Sequence, residues 1–203
     1  MYDLHTHTLL SDGELLPTEL IRRAAVLGYE TLAITDHADA SNLRHLVEAA
    51  ESVRESARCY GLTLLVGVEL THVPPSLIPA FARDAKRFGA DVVVVHGETV
   101  VEPVAPPGTN RAACTCEYVD VLGHPGLIAV EDARAAAEHG GWRSRSPRAG
   151  GHNRTNGHVA RDGAGGRVPA CDRFRYARSV RSDLKGGTAG GRARRGADGG
   201  GIP

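Results

Sequence analysis

The sequence has 203 residues, of which 41% are hydrophobic and 24% are charged, and its formal net charge at pH 7 is zero. This length is enough for one sizeable domain with a buried core. No apolar run approaches the roughly 18 residues that a membrane-spanning helix needs, and no basic stretch followed by an apolar run indicates a secretory signal. We therefore expect a cytoplasmic protein that does not bind a membrane.

Charge and glycine content divide the chain into two parts. Residues 1–139 carry 20 acidic and 10 basic side chains, whereas residues 140–203 carry 4 acidic and 14 basic ones. The second part also holds 16 of the 25 glycines. Only the first part therefore has the composition of an ordinary folded domain.

The first strand brings two histidines close together. Residues 2–4 form a short apolar strand that runs into His5-Thr-His7, and a Ser-Asp12-Gly turn follows. Residues two apart on an extended strand point to the same face, so both imidazoles can face one divalent ion such as zinc. Asp12 can add an oxygen ligand or orient one of the histidines. For this motif alone, an N-terminal tag fragment or two surface histidines are the alternative interpretation.

The rest of residues 1–139 alternates between strand and helix patterns. Strands are predicted at residues 2–4, 31–35, 62–68, 91–95 and 119–122, and helices at 17–27, 43–60, 76–88, near 110–116 and from 131 onward. Ser76 is expected to cap the third helix. This alternation implies a parallel sheet. The near-continuous Val, Ile and Leu runs imply strands that are covered on both faces.

Every predicted strand ends at a side chain of the metal-ligand type. These side chains are His5 with His7, His37, Glu69, His96 and His124. Each one alone has a structural alternative, such as a turn residue, an ion-pair partner or a buried, hydrogen-bonded histidine. In a parallel barrel the strand ends converge on one rim, whereas an open doubly wound sheet would spread them along a crevice. Five such endings favour the barrel.

Together these motifs resemble the PHP (polymerase and histidinol phosphatase) family in order and spacing. They are Asp-Leu-His5-Thr-His7-Thr with Ser-Asp12-Gly, Ile-Thr-Asp-His37, Gly-Val-Glu69, His96-Gly-Glu and Gly-His124-Pro-Gly. The resemblance implies an α/β fold, a distorted seven-stranded TIM-like (β/α) barrel, of which residues 1–139 would form the first five units. It also implies up to three divalent metal ions at the strand ends. Zinc is the expected ion, and manganese and iron are alternatives.

The resemblance assigns the candidate ligands to three metal sites. His5, His7 and Glu69 would hold one ion. Glu69, His96 and His124 would hold a second, with Glu69 bridging the two. His37, with Asp12, would hold a third. The family pattern also includes a late strand that ends in Asp-x-His, and residues 140–203 contain no such motif, so the barrel is expected to be incomplete as written.

The function that the resemblance implies is hydrolysis of a phosphomonoester, as in a histidinol phosphatase. A hydroxide held by the metals would attack phosphorus, and no side chain is assigned as the nucleophile. The expected partner is a small phosphorylated substrate. His152 and Arg154 lie in a segment that resembles a loop and helix start of the family, and we expect them to contact the substrate phosphate.

Two other functions are kept as alternatives. One is a nucleotide phosphoesterase or exonuclease of the same family. The other is a non-catalytic remnant that only binds metal, if residues 140–203 are real as written. For Arg154 itself, the alternative to a contact with the substrate phosphate is an ordinary solvent-exposed side chain.

Residues 140–203 have too few large apolar side chains to form a core. Codons can be chosen for residues 161–183 that, read one base later, encode a strand followed by the missing Asp-x-His motif. A two-base shift over residues 140–148 likewise yields a plausible strand. We therefore predict frameshifts or sequencing errors near residues 140 and 161. The alternative is a genuine Arg/Gly-rich tail that binds nucleic acid through its charge.

Overall fold

Strands and helices alternate along the chain, as the sequence predicts. The structure is a computed structural model that describes residues 1–138 and the backbone of residues 142–143. The strands are β1 (Tyr2–Thr6), β2 (Thr31–Ile34), β3 (His37–Ala38), β4 (Thr63–Leu70), β5 (Val92–His96), β6 (Val121–Gly123) and β7 (Trp142–Arg143). The helices are α1 (Pro17–Val26), α2 (Leu43–Ser52), α3 (Arg54–Cys59), α4 (Ile78–Phe88), α5 (Thr109–Cys114) and α6 (Val130–Glu138).

The strands form one parallel sheet whose spatial order follows the chain. The order is β1-β2-β4-β5-β6-β7, and β3 pairs with β4. A doubly wound sheet would reverse its order at a switch point, and this sheet shows no reversal over its described strands. The fold is therefore α/β with a parallel half-barrel, consistent with part of a TIM-like barrel. Of residues 140–203, only the backbone of β7 is described, so the incomplete barrel stays a prediction.

Strands β2 and β3 are two parts of one interrupted strand. Ile34 pairs with Val66 and His37 pairs with Glu69, so the register against β4 is the same on both sides of the break. Gly67 lies beside the break, where a Cβ atom would come within 2.8 Å of both Thr35 Cγ2 and the Val92 carbonyl oxygen. The missing side chain lets three strands approach closely and keeps His37 next to Glu69.

The two faces of the sheet have different roles. On β5, Val93 and Val95 belong to the main core beneath the helices, whereas Val92 and Val94 form a small apolar cluster on the opposite face with Val121 and Leu65. Alternate residues of a strand share a face. His96 therefore continues the stripe of Val92 and Val94 on the inner face.

At the opposite ends of the strands, two aspartates repeat one hydrogen-bonding arrangement. Asp91 Oδ2 accepts hydrogen bonds from the Val66 N–H at 2.9 Å and from Arg54 Nη2 at 2.9 Å. Asp120 Oδ2 accepts from the Val93 N–H at 2.7 Å and from Lys86 Nζ at 2.6 Å. Each carboxylate thus connects the residue that precedes one strand to the backbone of the adjacent strand.

Two local predictions are wrong. The helix predicted over residues 43–60 is interrupted at Val53, whose φ of −101° and ψ of 3° leave the helical region and separate α2 from α3. Ser76 is not a helix cap, because it lies in a 3₁₀ turn over Pro75–Leu77 and α4 begins only at Ile78. A proline in the first turn of α4 needs no N–H partner there, so this start requires no side-chain cap.

No helix within the described part of the chain is long and apolar enough to span a membrane.

We expect Gly67→Ala to lower the free energy of unfolding by about 1–3 kcal/mol, because the added methyl group overpacks a three-strand contact. Urea denaturation of the metal-free protein would measure this change. Thr63→Ala, at an exposed position of the same strand, is the matched control and should change stability by less than about 0.5 kcal/mol. Equal effects of the two substitutions would contradict the close-approach explanation.

Candidate metal centre

Five histidines form a closed ring at the carboxyl ends of the strands. The ring centroids of His5 and His7 lie 5.1 Å apart, those of His7 and His37 4.4 Å, and those of His37 and His96 6.1 Å. His96 lies 4.6 Å from His124, and His124 lies 5.2 Å from His5. Parallel strands bring these residues together although they are widely separated in the sequence. The structure thus collects all five histidines that were predicted from the strand ends.

Glu69 points into this ring of imidazoles. Its Oε2 atom lies 3.1 Å from His5 Nε2, 3.3 Å from His7 Nε2 and 3.2 Å from His37 Nδ1. Its Oε1 atom lies 3.9 Å from His124 Nε2. The Glu69 side chain is completely buried, so this carboxylate is the inner wall of the site.

The contacts around Glu69 leave buried polar atoms without hydrogen bonds. Within the described residues, Glu69 Oε1, Glu69 Oε2 and His5 Nε2 have no hydrogen-bond partner. A nitrogen lone pair and a carboxylate oxygen repel each other at close range unless a proton or a metal cation lies between them. A carboxylate surrounded by imidazole nitrogens is a donor set that suits zinc and other divalent transition metals. The residues therefore fit a metal ion.

The candidate ligands form two groups. His5, Glu69 and His124 make up the inner group, and His7, Asp12 and His37 the outer group; within each, one ligand atom per residue lies within 4.8 Å of the others.

The outer group is the more accessible of the two. Asp12 Oδ1 lies 3.3 Å from His7 Nδ1 and 3.6 Å from His37 Nε2, and the Asp12 side chain is 59% exposed. These groups divide the residues differently from the three sites implied by the family resemblance. His5 and His7 fall into different groups, and His96 is in neither. The three-site assignment remains a prediction.

Burial and close charges shift the pKa values of the cluster. Burial disfavours the charged form of His5, but the Glu69 carboxylate outweighs it and raises the pKa of His5. The pKa of His37 is raised in the same way. Burial alone would raise the pKa of Glu69, but the surrounding imidazoles hold it well below its usual range. Burial dominates at His96 and lowers its pKa. The site thus favours an ionised carboxylate that a cation can neutralise.

Hydrogen bonds orient two of the imidazoles. The Thr71 hydroxyl donates to the Glu69 carbonyl oxygen at 3.1 Å and lies 2.7 Å from His37 Nδ1. These contacts fix the orientation of the His37 ring, so that its Nε2 atom faces Asp12 Oδ1 at 3.6 Å. His96 Nδ1 lies 3.0 Å from the Gly97 carbonyl oxygen, which assigns the proton of His96 to Nδ1.

Asp36 supports the site and was not singled out by the sequence analysis. It is 1% exposed. Its Oδ1 accepts hydrogen bonds from the Thr8 N–H and from Ser11 Oγ, both at 2.6 Å, and its Oδ2 accepts from Thr8 Oγ1 at 2.7 Å. Asp36 therefore holds the loop that leads from His7 to Asp12. Its position between a buried strand and His37 was the available signal.

Two histidines at the rim have a left-handed backbone conformation. The φ angles are 59° at His72 and 47° at His124. Such values are uncommon for residues other than glycine and often occur at functional sites. His124 needs this conformation to turn towards Glu69 directly after β6. His72 is exposed and directly follows the buried Thr71.

The remaining predicted histidines and the arginine are placed only in part. His45 is exposed on α2. His139 and the candidate substrate-binding residues His152 and Arg154 lie outside the described residues. The late Asp-x-His motif that the resemblance implies would also lie outside the described residues.

We expect Asp36→Ala to lower the free energy of unfolding by about 2–4 kcal/mol, because three donors, two of them buried, lose their acceptor. Thermal and urea unfolding of the metal-free protein would measure the change. Asp39→Ala is the control, since Asp39 is exposed and accepts hydrogen bonds from its neighbour Ser41; its cost should stay below about 1 kcal/mol. A small effect at Asp36 would mean that the loop does not depend on this carboxylate.

Comparisons with known proteins agree with the motifs. The sequence profile of the PHP domain matches residues 3–105. An uncharacterized protein of Methanocaldococcus jannaschii is 51% identical over 161 residues, which cover 78% of this chain and 73% of that protein. A match of this length necessarily continues past residue 139.

Two other relatives match over shorter segments. A 5′-3′ exoribonuclease of Escherichia coli is 41% identical over 73 residues, which cover 36% of this chain and 23% of that enzyme. A 3′,5′-nucleoside bisphosphate phosphatase of Chromobacterium violaceum is 44% identical over 69 residues, which cover 34% of this chain and 22% of the phosphatase. The matched segments thus span less than a quarter of these two relatives. With the profile match and the long alignment to the archaeal protein, they show that the chain belongs to the PHP domain family.

Proposed function

We propose that this protein is a metal-dependent phosphoesterase that hydrolyses a small phosphomonoester. The observation that carries the proposal is the ring of five imidazoles around Glu69, whose buried oxygens have no hydrogen-bond partner among the described residues. A buried carboxylate without partners is costly unless a cation compensates it. Membership of the PHP domain family supports the choice of phosphoester hydrolysis.

The proposed cofactors are up to three divalent metal ions, with zinc as the first choice and manganese or iron as alternatives. The inner group would hold one ion and the outer group another. The family resemblance instead assigns His124 to an ion held with Glu69 and His96, so His124 would serve either that ion or the ion of the inner group. Bound divalent ions supply Lewis-acid activation of water and neutralise the charge of a phosphoryl group.

The protein side chains would orient this chemistry. Glu69 fixes the buried side of the site, while the exposed Asp12 marks the side from which a substrate phosphate can approach. Asp36 holds the loop that carries Asp12 in place. We further propose that His152 and Arg154 contact the phosphate, because a guanidinium matches its geometry. The partner would then be a small phosphorylated molecule rather than a membrane or a nucleic acid.

A nucleotide substrate is the second candidate. Two relatives are named as a 3′,5′-nucleoside bisphosphate phosphatase and a 5′-3′ exoribonuclease, which favours phosphates on nucleotides. A substrate like L-histidinol phosphate rests on the motif resemblance alone. Comparing kcat/KM for L-histidinol phosphate, adenosine 3′,5′-bisphosphate and a short 5′-phosphorylated RNA would distinguish a general phosphomonoesterase from the two nucleotide activities.

We expect Glu69→Gln to reduce metal content and phosphatase activity together, by on the order of 100-fold or more in activity, because the inner group loses its only carboxylate. Inductively coupled plasma mass spectrometry would measure the metal, and p-nitrophenyl phosphate hydrolysis the activity. Asp39→Asn, at an exposed carboxylate on the loop after β3, is the matched control and should retain both. Full activity of the Glu69→Gln protein would exclude the proposed centre.

The frameshift hypothesis requires a test of its own. Sequencing the encoding DNA shows whether the reading frame is interrupted near residues 140 and 161. Metal content and activity are then compared between the protein as written and a frame-restored version. If only the restored version binds metal and turns over, the late ligands are needed. If the written protein is folded and active, residues 140–203 are genuine and supply what is missing.

A further inference from the structure

A single buried side chain joins the two loops that follow His96 and His124. Asn110, in the first turn of α5, is 3% exposed. Its Oδ1 accepts a hydrogen bond from the Glu98 N–H at 3.1 Å, and its Nδ2 donates to the Pro125 carbonyl oxygen at 2.9 Å. Glu98 is two residues after His96, and Pro125 is the residue after His124. One amide therefore binds both loops close to the imidazoles that they carry.

Glu98 in turn holds Asn110 in place. Its Oε1 atom accepts hydrogen bonds from the Asn110 N–H at 2.9 Å and from the Gly108 N–H at 3.0 Å. The backbone of Glu98 thus donates to Asn110 while its side chain accepts from Asn110. This reciprocal pair fixes the start of α5 against the His96 loop.

The loops pack too closely for ordinary side chains. A Cβ atom on Gly97 would lie 2.6 Å from Asn110 Oδ1 and 2.9 Å from the Gly123 carbonyl oxygen. Gly126 has a φ of 58°, and a Cβ atom there would overlap the Glu98 carbonyl oxygen. The Gly97 N–H also donates to the Gly123 carbonyl oxygen at 2.7 Å. Asn110 therefore links the loop after His96 to the loop around His124. This set of contacts among residues 97–98, 110 and 123–126 is called the clasp below.

We propose that Asn110 is a positioning residue that sets the distance between the imidazoles of His96 and His124, and through them the affinity of the metal centre for its ions. Two features of the backbone make these imidazoles depend on the clasp. His124 has a left-handed conformation that the following Pro125 contact must hold. The proton of His96 is directed by the Gly97 carbonyl group, which is part of the same clasp. The inference rests on the proposed metal-dependent function.

The test is a Co²⁺ titration of the metal-free protein, followed by the visible absorption of the bound ion. We expect Asn110→Ala to weaken Co²⁺ binding by about 10–100-fold, the usual effect of removing a group that orients metal ligands. Thr109→Ala is the matched control. Thr109 is the adjacent residue on α5, is 2% exposed, and loses a comparable hydrogen bond, from its Oγ1 to the Pro106 carbonyl oxygen at 2.7 Å. Its Co²⁺ affinity should stay within about 3-fold of the parent.

Repeating the Asn110→Ala substitution in a protein that lacks both histidines distinguishes an effect on ligand position from a general loss of stability. In a protein that carries His96→Ala and His124→Ala, adding Asn110→Ala should cause no further loss of Co²⁺ affinity, because the residues through which it acts are gone. An equal loss in both backgrounds, or equal effects of Asn110→Ala and Thr109→Ala, would overturn the inference.

Two substitutions of Glu98 keep the inference testable if the Asn110→Ala protein does not fold. Glu98→Gln retains the acceptor and should bind Co²⁺ like the parent, whereas Glu98→Ala should show the weaker binding. Identical titrations of these two variants would refute the clasp. If the parent protein itself binds no Co²⁺, the proposed function fails, which differs from a parent that binds normally while Asn110→Ala has no effect.

Discussion

The constraint on which the site depends is the burial of the Glu69 carboxylate among imidazoles. An ionised carboxylate that is removed from water is costly unless positive charge or hydrogen bonds compensate it. Here the compensation comes from the surrounding histidines, which hold the pKa of Glu69 well below its usual range. The two carboxylate oxygens form no hydrogen bond among the described residues, so this compensation is one of charge, which a divalent cation would also supply.

The sheet makes room for this carboxylate by omitting side chains. Gly67 precedes Glu69 on the inner face of β4 and allows β2 and β5 to approach. Gly123 ends β6, where a Cβ atom would lie 3.1 Å from both Glu69 Oε1 and His5 Cε1. The alternation of a strand then directs Glu69 and His96 inward. Packing of the barrel and geometry of the site are therefore set by the same positions.

Much of this arrangement could be predicted because it rests on periodicity. Apolar runs bounded by turn residues locate buried parallel strands, and strand ends of one parallel sheet lie on one side. The predictions that failed depended on local backbone choices. The break at Val53 follows no proline or glycine, and the 3₁₀ turn at Ser76 replaces an expected cap. Neighbouring elements decide such details, and a single sequence does not display them.

By itself, the sequence determined the order of the strands and helices and which residue types stand at the strand ends. That information is local, because it is carried by hydrophobic spacing and by motifs such as His5-Thr-His7. Only the tertiary structure decided how the ligands are grouped, since distances between side chains from different strands depend on register and tilt. It also showed that Asp36 and Asn110 hold the site together. Their hydrogen-bond partners are distant in the sequence, so the sequence did not show which loops these two residues hold.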